Sequence, residues 1–230
     1  MDCDRKPSWL KWWQMLGKTD DLQVHDLLQI DPDSVLGVTA ASWVNQALSS
    51  CPWVVVRRAR APAGEIAVGV RGDTRSQRWG GFLSKDLIGK VVRPAELLFV
   101  RPSSTPRATP AIKVLQEVID RWRDLTLPWG PTGSVGFELA TRRQVTSEAS
   151  DLDIAIRAPV RITVERARAL WQRVIGLQTR VDIRVETPQC GFSLQEYACT
   201  SSTRMLLHCP DGERLGDDPW SDWSNTEIAS

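Results

Sequence analysis

Ser150-Asp-Leu-Asp-Ile-Ala-Ile-Arg157 is the stretch that decides the fold of the second half of the chain. Side chains of a strand point alternately to opposite faces. Leu152 and the two isoleucines can therefore be buried on one face, while Asp151 and Asp153 share the other. The pattern predicts a strand over 150–157 that carries two carboxylates side by side.

The segments around this strand have the periodicity of alternating helices and strands. Apolar residues recur at helical spacing over 111–122 and again over 163–175, and they alternate over 180–186. Thr132-Gly-Ser-Val-Gly136 is typical of a turn from a strand into a helix, and we expect a brief helix over 137–142. This order predicts an α+β domain with a mixed sheet flanked by helices.

A change of composition divides the chain near its middle. Residues 101–110 are rich in proline, serine and threonine, which predicts a linker. Before it, strands over 52–58 and 65–71 are expected to form a hairpin in a smaller mixed α/β domain, and 77–88 is expected to be short helix or loop. The predicted organisation is a Trp-rich N-terminal extension at 1–21, an N-terminal basic α/β domain at 22–100, the linker at 101–110, a C-terminal domain at 111–220 and a tail at 221–230.

Composition and charge exclude several classes of protein. The chain is 42% apolar and 25% charged with a net charge of +1, which is ordinary for a folded protein and makes no case for a polyanion such as nucleic acid as partner. No apolar run approaches the roughly 20 residues that cross a bilayer, so no membrane association is expected. The five cysteines include no Cys-x-x-Cys pair, which favours free thiols and a cytoplasmic location. His25 and His208 are expected to be structural.

A third carboxylate is predicted beside the first two. In Val181-Asp-Ile-Arg-Val-Glu186 the apolar residues alternate with Asp182, Arg184 and Glu186. Neighbouring carboxylates repel one another, and a hard cation bound by one or two carboxylates and by phosphate oxygens offsets that repulsion. Asp151, Asp153 and Asp182 are therefore the candidate catalytic and metal-binding residues, with Mg²⁺ (or Mn²⁺) as the cofactor.

Phosphate-binding residues are expected at the turn and in the basic part of the first domain. Gly133 permits close backbone approach, and Ser134 adds a hydroxyl beside the N–H groups of a helix start. Arg184 lies on the face of Asp182. Nine basic and three acidic residues lie between Arg57 and Arg93, a local excess of about six charges. The candidates that cluster around Gly72 are Arg71, Arg75 and Arg78.

These residues resemble a known family. Gly-Ser followed by Asp-x-Asp and a later strand aspartate is similar to the polymerase-beta-like nucleotidyltransferase superfamily. More closely, the chain resembles the malonate decarboxylase holo-acyl carrier protein synthases, also called phosphoribosyl-dephospho-CoA transferases. The segments that carry this resemblance are 54–58, 68–72 with Arg78-Trp79, 129–134, 146–153, 181–188, Glu196-Tyr197, Leu206-Leu207, Asp211-Gly212 and 218–220.

The resemblance implies a fold, a reaction and a partner. The C-terminal domain would have the nucleotidyltransferase fold, and Asp151 and Asp153 would match the family's metal pair. The substrate would be 2'-(5''-triphosphoribosyl)-3'-dephospho-CoA, joined to a serine of the acyl carrier protein subunit of malonate decarboxylase with loss of diphosphate. The part of the chain before residue 22 has no counterpart in the resemblance.

Two other functions stay open from the residues themselves. The chain could be a nucleotidyltransferase for another protein, an RNA end or a small-molecule hydroxyl, although RNA calls for a broader basic surface. It could also be a non-catalytic carrier-binding module without metal. The presence of all three aspartates, Asp151, Asp153 and Asp182, argues against this last hypothesis.

Overall fold

The computed structural model describes residues 21–31, 41–72, 74, 76–100, 108–199 and 204–222. Outside the described residues lie 1–20 of the Trp-rich extension, Arg75, 101–107 of the predicted linker, and 223–230 of the tail. No helix within the described ranges is long and apolar enough to cross a bilayer.

The first half of the chain forms an antiparallel sheet of five strands in the order β4-β3-β2-β1-β5. These strands are β1 (Leu27–Ile30), β2 (Trp53–Val56), β3 (Glu65–Arg71), β4 (Arg78–Ser84) and β5 (Ile88–Val92). Helix α1 (Ser42–Ser50) covers one face, where Val44 and Leu48 join a cluster of buried residues from the strands. The opposite face, which carries Leu27 and Trp53, packs against the second half of the chain.

The second half forms a sheet of six strands in the order β11-β10-β9-β8-β7-β6. They are β6 (Trp129–Pro131), β7 (Leu152–Arg157), β8 (Val181–Glu186), β9 (Gly191–Ser193), β10 (Met205–Cys209) and β11 (Gly212–Gly216). β7 and β8 are parallel and the other neighbours are antiparallel. The predicted α+β fold with a mixed sheet is therefore confirmed.

Five helices accompany this sheet and its junction with the first half. They are α2 (Pro94–Leu97), α3 (Pro110–Arg121), α4 (Gly133–Thr141), α5 (Val164–Gln172) and α6 (Leu194–Cys199). The amphipathic pattern of α3 is met, since Ile112, Leu115 and Val118 are buried in the core together with Leu152 and Ile154 of β7. Proline at the first helical position of α3 suits a helix start because its missing N–H has no partner there in any case.

Two predictions about local structure are wrong. The segment 77–88 is neither helix nor loop for most of its length, because it contains β4 and only a short 3₁₀ helix at Lys85–Leu87. The helix expected over 137–142 begins at Gly133 instead.

The domain limits stay a prediction. Leu27, Trp53 and Val92 of the first sheet lie in the same apolar core as the second sheet.

Candidate active site at the start of strands β7 and β8

The parallel pairing of β7 and β8 brings two of the predicted carboxylates together. Asp153 and Asp182 are register partners, and their neighbours Leu152 and Val181 are buried on the other face. Asp151 lies immediately before β7, after a turn in which the backbone N–H of Ser147 donates to the hydroxyl of Ser150 at 2.9 Å. The alternation read from the sequence therefore places these groups at the start of two adjacent strands.

The negative charges of the neighbouring aspartates make it harder to ionise Asp153. Its pKa is raised above the ordinary value, first by burial and then by the negative charges of Asp182 and Asp151. Arg78 and His25 act in the opposite direction. Asp182 is about half exposed and accepts from Arg180 at 3.2 Å. A cation near Asp153 would relieve this excess of negative charge.

The three carboxylates do not form a closed metal cage. Within the part of the chain that the structure describes, no three His, Cys, Asp or Glu side chains are grouped so that they could hold a metal by themselves. The donor chemistry nevertheless fits Mg²⁺ or Mn²⁺, because such ions take one or two carboxylates and complete their shell with water and substrate phosphate oxygens. The metal assignment of Asp151, Asp153 and Asp182 stays a prediction.

Gly133 is in direct contact with the carboxylate of Asp153. Its φ is +55°, and a Cβ at this position would lie 1.9 Å from Oδ2 of Asp153. The backbone N–H of the preceding Thr132 donates to the carbonyl of Asp153 at 2.8 Å. The turn and the strand are thus joined side by side, and only glycine fits between them.

Ser134 lies in the first turn of α4, directly after Gly133. The first N–H groups of a helix have no acceptor within the helix, so they are available to an anion, and the helix dipole favours a negative charge there. The structure brings this helix start next to Asp153, as the sequence predicted for a phosphate-binding turn. The role of Ser134 itself stays a prediction.

The predicted arginines differ in their relation to the carboxylates. Arg71 and Arg78 are register partners on β3 and β4, and the charge of Arg78 reaches Asp153. Arg184 lies two residues after Asp182 on the same face of β8, and after burial it is the strongest charge that lowers the pKa of His208. Arg78 is thus the predicted arginine whose charge acts on Asp153.

Arg57 is a further basic residue that sequence reasoning did not single out. Its side chain lies across Gly69 and Gly80, where a Cβ on Gly80 would be 1.7 Å from Nη1 of Arg57. The register of β3 and β4 pairs Gly69 with Gly80 on the face that carries Arg71 and Arg78. Two glycines paired across strands were the available signal, because they leave a groove that a long side chain can occupy.

His25 pairs with Glu186, the last residue of β8. Its Nε2 lies 2.8 Å from Oε1 of Glu186, its φ is +73°, and its charge lowers the pKa of Asp153. Arg58 also donates to Glu186. Burial raises the pKa of Glu186, but the hydrogen bonds and charges of His25 and Arg58 outweigh it, so the pKa lies below its ordinary value. The expected structural role of His25 agrees with this ion pair, but the effect of its charge on Asp153 was not foreseen.

Comparisons with known proteins cover nearly the whole described chain. Residues 23–94 match the family model of the phosphoribosyl-dephospho-CoA transferase MdcG N-terminal domain, and residues 99–219 match that of the C-terminal domain. No solved structure matches the chain.

Three curated relatives share the name phosphoribosyl-dephospho-CoA transferase. A phosphoribosyl-dephospho-CoA transferase of Pseudomonas putida is 39% identical over 197 residues, which cover 86% of this chain and 94% of the relative. Those of Azotobacter vinelandii and Pseudomonas aeruginosa are 38% and 37% identical, and cover 86% and 85% of this chain and 94% and 92% of the relatives. With its carboxylates and glycine turn at the start of two adjacent strands, the chain belongs to the phosphoribosyl-dephospho-CoA transferase family and is a transferase enzyme.

Proposed function

We propose that this transferase moves the 2'-(5''-phosphoribosyl)-3'-dephospho-CoA group from its triphosphate precursor to a serine of the apo acyl carrier protein subunit of malonate decarboxylase. Diphosphate is the leaving group. The observation that carries the proposal is the contact between Gly133 and Asp153, with Asp182 in register beside them. A helix start and a carboxylate pair at one point suit a phosphate chain whose charge must be both bound and neutralised.

The proposed cofactor is Mg²⁺, or Mn²⁺ in its place. Asp151, Asp153 and Asp182 would hold it. Asp153 and Asp182 are register partners, and the negative charges of Asp151 and Asp182 both act on Asp153. When bound, such an ion neutralises charge on the phosphate oxygens and orients the leaving diphosphate. The raised pKa of Asp153 supports this assignment, since a carboxylate that is costly to ionise alone gains most from a cation.

The residues of the chain bind and orient the two reactants. The N–H groups at the start of α4 and the hydroxyl of Ser134 bind phosphate oxygens, while Arg71, Arg78 and Arg184 bind the rest of the precursor. Arg75 belongs to the same proposal, although it lies outside the described residues. Positioning of this kind supplies most of the rate in phosphoryl transfer, where the protein performs little covalent chemistry.

The transfer forms one bond and breaks one bond. The serine oxygen of the carrier attacks the phosphorus next to the ribose, and the bond from that phosphorus to the diphosphate oxygen breaks. The serine proton passes to the carboxylate of Asp182, which is about half exposed and therefore accessible to an incoming hydroxyl. The products are a phosphodiester on the carrier and free diphosphate.

The basic face of the first sheet is the proposed docking surface for the carrier. Acyl carrier proteins are usually acidic, and opposite charge speeds and orients the encounter of two proteins. Arg78 is exposed on β4 and its charge reaches Asp153, so a carrier held there would present its serine near the carboxylates.

The proposed location of the enzyme is the cytoplasm. The described cysteines are free thiols, which supports a reducing compartment.

The test of this function is the intact mass of the carrier. Enzyme, Mg²⁺, triphosphoribosyl precursor and apo carrier are mixed, and the carrier is expected to gain the mass of the prosthetic group. Asp153→Asn should abolish the gain, whereas Asp120→Asn, on the exposed side of α3, should leave it unchanged. A carrier that gains no mass with the wild-type enzyme, while the precursor is consumed, would assign the transfer to a different acceptor hydroxyl.

A further inference from the structure

A cavity of about 570 Å³ lies between the two sheets, apart from the carboxylate pair. Its walls come from both halves of the chain, with residues 21–24 and Arg58 on one side and residues 186–188 with Arg157 and Pro159 on the other. Cavities that bind small molecules usually measure about 300–1,000 Å³ and lie at such junctions. The volume is therefore enough for a ligand group the size of a nucleobase with its sugar.

The cavity and the carboxylates lie at opposite ends of the same two rows of side chains. Asp153 and Arg157 share a face of β7, and Asp182 and Glu186 share the matching face of β8, since each pair is separated by an even number of residues. Arg157 and Glu186 are register partners that line the cavity. Four residues of extended strand place the cavity about 13 Å from the carboxylate pair.

The two arginines of the cavity wall are already neutralised by carboxylates. Arg157 donates to the buried Asp26 at 2.6 Å, and Arg58 donates to the buried Glu186. A phosphate group would have to displace one of these carboxylates, at the cost of leaving it buried and unpaired. The cavity therefore favours an uncharged part of a ligand over a phosphate.

Apolar and rigid side chains complete the wall. Leu22, Pro159 and Pro188 line the cavity, and the two prolines are exposed at its rim. Flat faces of this kind suit a planar ring, while the carboxylate of Asp21, which also lines the cavity, can accept from an amino group on its polar edge.

We propose that this cavity binds the adenine base of the dephospho-CoA part of the substrate. The inference rests on the proposed function, which puts the reacting phosphorus at Asp153. Between that phosphorus and the adenine lie the ribose that carries the triphosphate and the C2′–C1′ bond of the adenosine ribose. This extended path of covalent bonds is long enough to join the two sites. The pantetheine arm is uncharged too, but it is a flexible chain without a planar ring that would match the proline faces of this wall.

The test measures binding of dephospho-CoA, which lacks the reacting triphosphate, by calorimetry without added divalent metal. Pro159→Trp and Pro188→Trp should each fill part of the cavity and weaken binding about tenfold or more. Val160→Trp is the matched control, because Val160 is 74% exposed, adjoins Pro159 and does not line the cavity. Its affinity should equal that of the wild type. Wild-type affinity in both proline variants would overturn the inference.

A competition experiment distinguishes binding of the adenine base from binding of the pantetheine arm. Adenosine should displace dephospho-CoA from the wild-type protein and pantetheine should not, and the reverse result would overturn the proposal. Failure of the inference is distinguishable from failure of the proposed function. The carrier would still gain its mass with the wild-type enzyme if only the cavity assignment were wrong.

Discussion

The buried carboxylate of Glu138 holds Thr146 by two hydrogen bonds, since its Oε2 accepts from the backbone N–H at 2.8 Å and from the hydroxyl at 2.7 Å. The N–H of Val145 donates to the same oxygen at 3.0 Å. Glu138 belongs to α4, which starts at Gly133, while Thr146 lies on the segment that leads to Asp151. One carboxylate thus ties the proposed phosphate-binding helix to the loop that leads to Asp151 and Asp153, two of the proposed catalytic residues.

Replacing Glu138 should therefore damage both stability and activity. In Glu138→Ala the buried N–H of Thr146 loses its acceptor, and we expect the free energy of unfolding to fall by about 3 kcal/mol, measured by urea denaturation. The turnover number should fall as well, because the loop before Asp151 loses its anchor. Glu117→Ala, at an exposed position on α3, is the control and should change the free energy of unfolding by less than about 0.5 kcal/mol. Equal effects of the two variants would contradict the anchoring role.

A methyl group at Gly133 should strongly lower activity for a local reason. Alanine there would bring its Cβ onto Oδ2 of Asp153, so the carboxylate must leave its position. Gly176 offers a matched control, since its φ of +77° imposes the same backbone strain but no atom lies within 4 Å of an added Cβ. Both alanine variants should lose about 1 kcal/mol of stability from strain.

The two glycine variants should differ in transfer rate, measured by the mass gain of the carrier. Gly133→Ala should fall about a hundredfold or more, as expected when a reacting group is misplaced by an ångström. Gly176→Ala should stay near the wild-type rate. A Gly133→Ala enzyme with normal turnover would show that Asp153 is not needed where the structure has it.

Periodicity along one strand was enough to predict the carboxylate end of the site. The alternation in 150–157 and in 180–186 is local, because burial of one face fixes the direction of every second side chain. That is why Asp153 and Asp182 were each expected on the polar face of a strand, and the parallel register of β7 and β8 places them side by side. The Gly-Ser turn was readable for the same reason, since its backbone requirement belongs to Gly133 itself.

Contacts distant in sequence were not predictable in this way. His25 and Arg58 meet Glu186 across most of the chain, and nothing near any of the three signals the partner. β4 was missed because Gly80 and Gly81 interrupt its pattern, and glycine has little strand propensity of its own. Its strand structure depends on pairing with β3 along seven register positions.

Arg78 should contribute to binding of the precursor more than to the chemical step. Its charge lowers the pKa of Asp153 and its side chain is exposed, so it can meet a triphosphate that approaches the carboxylates. Arg78→Ala should raise the KM for the precursor about tenfold and change kcat little. The effect should shrink at high salt, because exposed charges are screened. Lys113→Ala, on the exposed side of α3, should leave KM unchanged. A fall in kcat at constant KM would instead assign Arg78 to the transition state.

Asp26 should make the stability of the protein depend on pH in an unusual direction. It is fully buried, and burial raises its pKa from 3.8 to about 6, although Arg157 and the N–H of Gln23 pull it down. Between these two values the folded protein keeps a proton that the unfolded chain has released. The contribution is therefore complete below pH 3.8 and is lost as the pH rises through about 6.

The size of this effect can be isolated with Asp26→Asn. Two pKa units correspond to about 3 kcal/mol, so the wild type should lose up to this amount of unfolding free energy relative to the variant between about pH 4 and pH 7. Urea denaturation across that range measures the difference. The variant also removes the ion pair between Arg157 and Asp26, which shifts its stability by a constant, so the slope with pH is the decisive quantity. Asp124→Asn is the control, because Arg173 holds the pKa of exposed Asp124 below its ordinary value of 3.8. Any contribution of Asp124 is lost only below that pH, so the wild-type minus Asp124→Asn difference should stay flat between about pH 4 and pH 7. A wild-type minus Asp26→Asn difference that stays flat over this range would show that Asp26 is ionised throughout, held by Arg157 against the cost of burial.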